Sequence, residues 1–132
     1  MSQVIVILDS NTLTVSDWYF SDSPIVPVTP GIRLEVPEGL DPQCIMAVRA
    51  DDGTITLQAD PTKLEAKLNA AWTALRTERN ARLAASDYTQ LQDAHLSAEK
   101  KSAWADYRQA LRDLPENATD PTQVTWPVSP SQ

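Results

Sequence analysis

The sequence is poor in the residues that usually carry chemistry. It has one cysteine and one histidine in 132 residues. Cys44 has no partner for an internal disulfide, and no thiolate cluster can hold zinc. His95 stands alone, which removes a His-pair metal site. Glycine occurs three times, at Gly31, Gly39 and Gly53, and nowhere as a phosphate-cradling loop. No apolar run reaches the roughly 18 residues that a bilayer span needs. The opening residues show neither a basic stretch nor an apolar one, so no signal peptide is expected. Bases are scarce as well: 11 Lys and Arg stand against 18 Asp and Glu, for a net charge of −7. That balance speaks against nucleic acid as a partner and against docking on an anionic membrane.

What chemistry could be assembled from the rest is thin. Cys44 with His95 makes a conceivable nucleophile pair, but a buried, inert thiol in a β-hairpin is the plainer reading. Asp51-Asp52-Gly53 resembles the start of a calcium loop without its further ligands or closing glutamate, and reads better as a turn. No acid/base constellation emerges. The expectation is a protein that is not an enzyme, without metal or other cofactor.

The residues that are present divide sharply near position 61. Residues 1–61 hold nine acids against two bases, Arg33 and Arg49, all three glycines and six of the ten prolines. Residues 62–132 hold nine acids and nine bases, and no proline or glycine falls between Thr62 and Leu114. Breakers mark turns, and their absence permits long helices. The chain therefore reads as α+β: a small Pro-punctuated β-rich module over residues 1–61, then an antiparallel α-helical hairpin and an extended Pro-rich tail over residues 62–132.

In the first module, Val4-Ile5-Val6-Ile7-Leu8 is a β-branched run ended by a turn cluster, which predicts a strand buried on both faces. Thr12 to Val15 alternates and is expected to be its hairpin partner. Alternation across Trp18-Tyr19-Phe20 sends Trp18 and Phe20 to one face and Tyr19 to the other. Prolines 24, 27 and 30 make the following stretch extended or edge-like and exclude a central strand. Ile32 to Val36 alternates again. Cys44 to Arg49 and Thr54 to Leu57 flank a hairpin turn at Gly53. So small a sheet needs cover, expected from the helices. The alternative is that Trp18 and Phe20 meet another chain, through side chains, because Pro-spaced edges resist strand addition.

Asp60-Pro61 predicts a helix start, with Glu65 near the positive end of its dipole. Leu64, Leu68, Ala71 and Leu75 form a coiled-coil stripe that stops at Glu78 and Arg82. Two apolar heptads fall short of the three or four that make a strong signal. The stripe is open to packing within the domain or to self-association of two or three copies. Ser86-Asp87 breaks the helix, and Tyr88 to Leu96 is irregular or briefly helical. Ser97 caps a second helix with Glu99 in its first turn. Ala103, Trp104, Tyr107, Ala110, Leu111 and Leu114 give it one aromatic face, with Arg108 and Arg112 at the flank. Leu114-Pro115 is expected to end it.

A set of residues in this second half carries a resemblance. Arg82-Leu83-Ala84-Ala85-Ser86-Asp87-Tyr88-Thr89 is followed by Trp104-Ala105-Asp106-Tyr107-Arg108-Gln109-Ala110-Leu111-Arg112, and then by Trp126-Pro127. Over about residues 75–130 the chain resembles the phage tail assembly chaperone domain family, and its late Trp-Pro is similar to tail-fibre assembly proteins of temperate phages. Tyr88 stands where tryptophan is commoner in that family. The resemblance does not extend to residues 1–61. It implies a chaperone that binds the C-terminal part of a trimeric tail fibre and promotes its folding and trimerisation, in the host cytoplasm during phage assembly. The fibre is then the partner, with no nucleic acid and no membrane, and self-association as a trimer is open.

The same resemblance implies that Arg82, Asp87, Tyr88, Trp104, Tyr107, Arg108, Leu111, Arg112, Trp126 and Pro127 form its motif, either as a helical core or as an anchor patch for the fibre. In the core account Trp126-Pro127 folds back as a cover. Trp18 and Phe20 are the candidate contacts of the first module. Two other readings stay open. One is a structural virion protein that stays on the fibre as a tip cap or adaptor; the other is a glycan-binding tip module built on Trp18-Tyr19-Phe20.

Overall fold

The computed structural model describes residues 2–131. It is an α+β chain of five strands, two α-helices and a short 3-10 turn. Its contacts divide it into two compact units, Met1–Ala66 and Lys67–Gln132.

In the first unit, β1 (Val4–Leu8) is the central strand of a three-stranded antiparallel sheet. β2 (Val15–Phe20) and β3 (Ile32–Glu35) lie on either side of it. The partner of β1 therefore begins at Val15, where the expected partner ended. The reason is Asp9. Its carboxylate accepts the backbone N–H groups of Asn11 and Thr12 at 2.9 and 2.8 Å, and its carbonyl accepts the N–H of Leu13. These bonds commit residues 9–14 to a turn and put Leu13 at φ 57.

β4 (Ile45–Arg49) and β5 (Ile55–Ala59) form a separate two-stranded antiparallel hairpin. Gly53 takes φ 87 in its turn, where a side chain would be strained, and Asp52 accepts the N–H of Thr54.

Register sorts the three-stranded sheet into faces. Val6 sits opposite Trp18 and Leu34, and Leu8 opposite Val15 and Ile32. Val6 and Leu8 are fully buried and pack with Ile45, Ala47, Ile55 and Leu57 of the hairpin. The cover on this face is thus β4–β5, where a helix had been expected. On the other face Ile7 lies between Asp17 and Arg33. Thr29 donates its hydroxyl to Asp17 at 3.0 Å, and Arg33 donates to the carbonyls of Pro27 and Thr29 at 3.2 and 3.3 Å. The Pro-spaced segment is thereby tied across Ile7, which is fully buried. Proline suits this position because the segment needs no ladder hydrogen bonds of its own.

α1 (Pro61–Ala85) starts as its sequence requires. Asp60 Oδ1 accepts the N–H groups of Thr62 and Lys63 at 3.0 and 3.2 Å, and proline opens the first turn. Glu65 falls just beyond that first turn, which contains no acid. Residues 61–70 are exposed at every position, so Leu64 and Leu68 lie in solvent at 42% and 48% exposure while Leu75 is buried.

In the second unit, a 3-10 turn (Asp87–Gln90) links α1 to α2 (Ala98–Asn117). Ser97 caps α2 by accepting the N–H of Lys100 at 3.3 Å. α2 runs through Pro115 instead of stopping before it, a correction to the expected end. Proline's ring removes one N–H, whose acceptor would be the Leu111 carbonyl. A single turn remains, and Ala118 closes it by donating to the Leu114 carbonyl at 3.1 Å. Residues 118–131 form no helix or strand, and Pro121 within them is buried.

Two outcomes follow for the first unit. A Cβ on Gly31 would stand 2.4 Å from the Leu8 carbonyl oxygen and 2.8 Å from Ile7 Cγ2, whereas nothing lies within 4 Å at Gly39. Gly31→Ala should cost about 2–3 kcal/mol in urea denaturation, and Gly39→Ala only its backbone strain of about 1 kcal/mol. The second outcome concerns pH. The N–H groups of Thr12 and Asn11 hold the Asp9 carboxyl below its usual range, and Thr54 does the same for Asp52. A carboxyl depressed in the folded state stabilises fully above its unfolded pKa of about 3.9. That contribution is lost as pH falls through the folded value, so melting temperature should be flat from neutral to about pH 5 and fall below about pH 4.

Candidate functional site

The motif residues of the second unit gather around one arginine. Arg108 lies on α2 in the row Trp104, Tyr107, Arg108, Leu111, which is the buried face of that helix. It is 8% exposed. Its Nη1 donates to the Leu83 carbonyl at 2.6 Å and to Ser86 Oγ at 2.8 Å. Its Nη2 donates to Asp87 Oδ1 at 2.6 Å. The guanidinium fork suits this arrangement because its donors diverge in one plane. Leu83 is in the last turns of α1 and Ser86 follows its end, so Arg108 joins acceptors that already bond one another there: Ser86 donates its N–H to the Leu83 carbonyl and its hydroxyl to the Arg82 and Leu83 carbonyls. Ser86 and Thr89, both buried, continue the network: Thr89 donates to the Ser86 carbonyl at 2.7 Å.

Beside this network lies an apolar cluster. Trp104, Tyr107 and Leu111 are buried together, with Leu83, Leu96 and Trp126 packed against them. Trp104 and Tyr107 meet edge to face at 5.6 Å between centroids. Trp126, on the tail, folds back onto this cluster, and the Arg82 guanidinium sits over its ring at 4.5 Å. Arg82 also donates to Glu78 at 2.8 Å. Its pKa is raised, chiefly by that Glu78 bond and further by Tyr107. The indole N–H of Trp104 is buried without an acceptor.

Leu83 of α1 meets Arg108 of α2, while Asn69, Trp72, Thr73 and Arg76 share a groove of about 440 Å³ with Pro115 and Ala118. Arg76 also lies over the Trp72 ring at 5.7 Å.

The structure thus brings together Arg82, Asp87, Trp104, Tyr107, Arg108, Leu111 and Trp126. Pro127 is half-buried next to Trp126, Tyr88 is 43% exposed, and Arg112 is exposed on α2. Arg108 belongs to the buried row and not to its flank, because its charge is met by Asp87 and two further acceptors. Trp18 and Phe20 belong to the first unit, half-exposed on β2. Sequence reasoning missed Ser86 and Thr89 as buried polar members. Their only signal is two hydroxyl residues three apart at a helix end, the spacing of a capping turn.

Among the described residues, no group of three or more His, Cys, Asp or Glu is placed to hold a metal ion. No described helix is long and apolar enough to cross a membrane.

Residues 72–131 match the family model described as phage tail assembly chaperone protein. That segment belongs to the phage tail assembly chaperone family. The match contains every member of the helical group just described and leaves the first 71 residues outside it. The family is one of assembly chaperones and not a class of enzymes, and the match supports a role in phage tail assembly. Comparison with curated proteins finds no match. Among solved structures, the solution structure of protein CV0426 from Chromobacterium violaceum is 38% identical, with a TM-score of 0.42, and the alignment covers 64% of this chain and 96% of that one.

The unequal exposure of the Arg108–Asp87 pair, 10% against 66% by side chain, sets their separate contributions. Arg108→Ala strips three charge-assisted bonds and a buried side chain from between α2 and the end of α1, so it should cost about 2–3 kcal/mol in chemical denaturation. Asp87→Ala removes an exposed partner and should cost less than about 1 kcal/mol. Equal losses would contradict this assignment.

Proposed function

We propose that the protein is a tail-fibre assembly chaperone that binds the C-terminal part of a trimeric fibre and promotes its folding and trimerisation. The observation that carries this reading is the family match over residues 72–131. The fold lends support, because the matched segment packs an aromatic cluster along one helix and leaves other motif residues exposed for contact. Unassembled fibre chains expose strand edges and apolar interfaces, and covering them prevents aggregation until three chains register. Binding by apolar burial and aromatic anchors needs no nucleotide and no turnover.

The burial pattern divides the motif's work. Trp104, Tyr107, Leu111 and Arg108 hold the unit together, so the client contacts fall to its exposed members, Tyr88 and Arg112, together with Trp18 and Phe20 of the first unit. One copy per client chain gives three per fibre trimer. Leu64 and Leu68, exposed on α1, supply a stripe through which copies can associate. The protein acts in the host cytoplasm during assembly.

Co-expression with a phage tail-fibre protein tests the reading. Soluble, trimeric fibre is expected with the protein, and aggregated or unassembled fibre without it; unchanged fibre would sink the proposal. Tyr88→Ala and Arg112→Ala should lower fibre recovery at an unchanged melting temperature. Stoichiometric protein in purified particles, by mass spectrometry, would favour a permanent fibre cap instead.

A further inference from the structure

The first unit carries an apolar surface that its own fold covers only by about half. Trp18 and Phe20 alternate along β2 on the face that buries Val6 and Leu8, since Val6 pairs with Trp18 and Val4 with Phe20. The partly buried side chains packed on that core come from β3, β4, β5 and neighbouring turns, with Val15 from the start of β2. Trp18 and Phe20 are left 49% and 47% exposed, edge to face with centroids 5.7 Å apart. Two adjacent aromatic rings in water are an uncommon use of residues that contribute so much on burial.

The backbone beside them is already engaged. Asp17 Oδ1 accepts the N–H of Trp18 at 2.8 Å, and the carbonyl of Phe20 accepts the N–H of Ser23 at 3.0 Å. A partner chain is therefore poorly served by adding a strand along β2 at these two residues, and is better held by its side chains. The net charge of the unit says which side chains. Residues 1–66 hold ten acids and three bases. Arg33 and Lys63, two of those bases, are turned to carbonyls of their own unit. Asp22 lies two residues past Phe20. A second copy docking through the same surface would bring two like-charged units together, which disfavours it. A cation meets both features at once, the acidic field at a distance and the ring faces on contact.

We infer that Trp18 and Phe20 form a docking surface for a basic polypeptide segment, which presents arginine or lysine to the rings and is held through side chains. The inference stands on the first unit alone. That the segment belongs to a tail fibre rests on the function proposed above.

The test uses the full chain and two peptides of equal length, one alternating arginine with alanine and one alternating glutamate with alanine. Binding is followed by calorimetry and tryptophan fluorescence at low and high salt. The arginine peptide should bind, the glutamate peptide should not, and salt should weaken binding. Trp18→Ala/Phe20→Ala keeps the net charge and removes only exposed rings. It should melt like the parent and bind the arginine peptide about tenfold or more weakly. Undiminished binding by this variant would reduce the effect to bulk charge and overturn the surface. Self-association of the parent that the variant lacks, seen by sedimentation, would overturn it in favour of a second copy. Peptide binding with no effect of the protein on the fibre would support the surface and overturn the chaperone reading. Rescue of the fibre by the double variant as well as by the parent would separate the surface from that role.

Discussion

The guanidinium of Arg108 ties α2 to the stretch of chain where α1 ends and the 3-10 turn begins. It reaches the last turns of α1 through the Leu83 carbonyl, the break after α1 through Ser86, and the start of the 3-10 turn through Asp87. Burying a cation is costly unless its donors are met, and here the fork meets three acceptors in one plane. The one formal countercharge, Asp87, stays on the solvent side, so only one ion of the pair loses its water. Everything else in the second unit is arranged around that fixture. The aromatic cluster lies along the same face of α2, and the tail closes over it.

The first unit is organised by a different constraint, the cover of a single central strand. β1 is too apolar to leave either face open, and its two faces are covered in unlike ways. One takes a second hairpin with its own apolar residues; the other takes a strap of proline-spaced backbone tied by Asp17 and Arg33. Gly31 permits this because the chain passes so near the Leu8 carbonyl that no side chain fits. The strap occupies charged residues that would otherwise lie open on the sheet. The covering hairpin leaves Trp18 and Phe20 half in water, whereas the second unit buries Trp104 and Tyr107.

Much of this order was legible from residue type and spacing. The Asp-Asp-Gly turn announced the β4–β5 hairpin, Asp60-Pro61 announced α1, and Ser97 announced α2, because caps and turns depend on local bonds. The misreadings share a cause as well. β2 began later than alternation suggested because the Asp9 carboxylate gathers three following groups into a turn, a bond that hydrophobic patterning does not register. α2 passed Pro115 because losing one N–H near a helix end is tolerable, and the rule for proline is strictest in the helix interior. Arg108 looked like a flanking charge, since spacing shows which face a residue occupies but not who waits there. The motif residues of the second unit were visible through family resemblance. Their sorting into buried and exposed members required the coordinates, as did the roles of Ser86 and Thr89.

The return of Trp126 to the helices has a consequence for competition. Its ring is tethered to the surface it covers by only the residues between Asn117 and Trp126, so the site faces its own tail at a high effective concentration, of millimolar order for short flexible tethers. Any foreign aromatic group seeking the same place on Arg82 must displace a permanently present occupant. The tail thereby acts as an internal ligand, closing the aromatic cluster to weak visitors while leaving the residues outside its reach available.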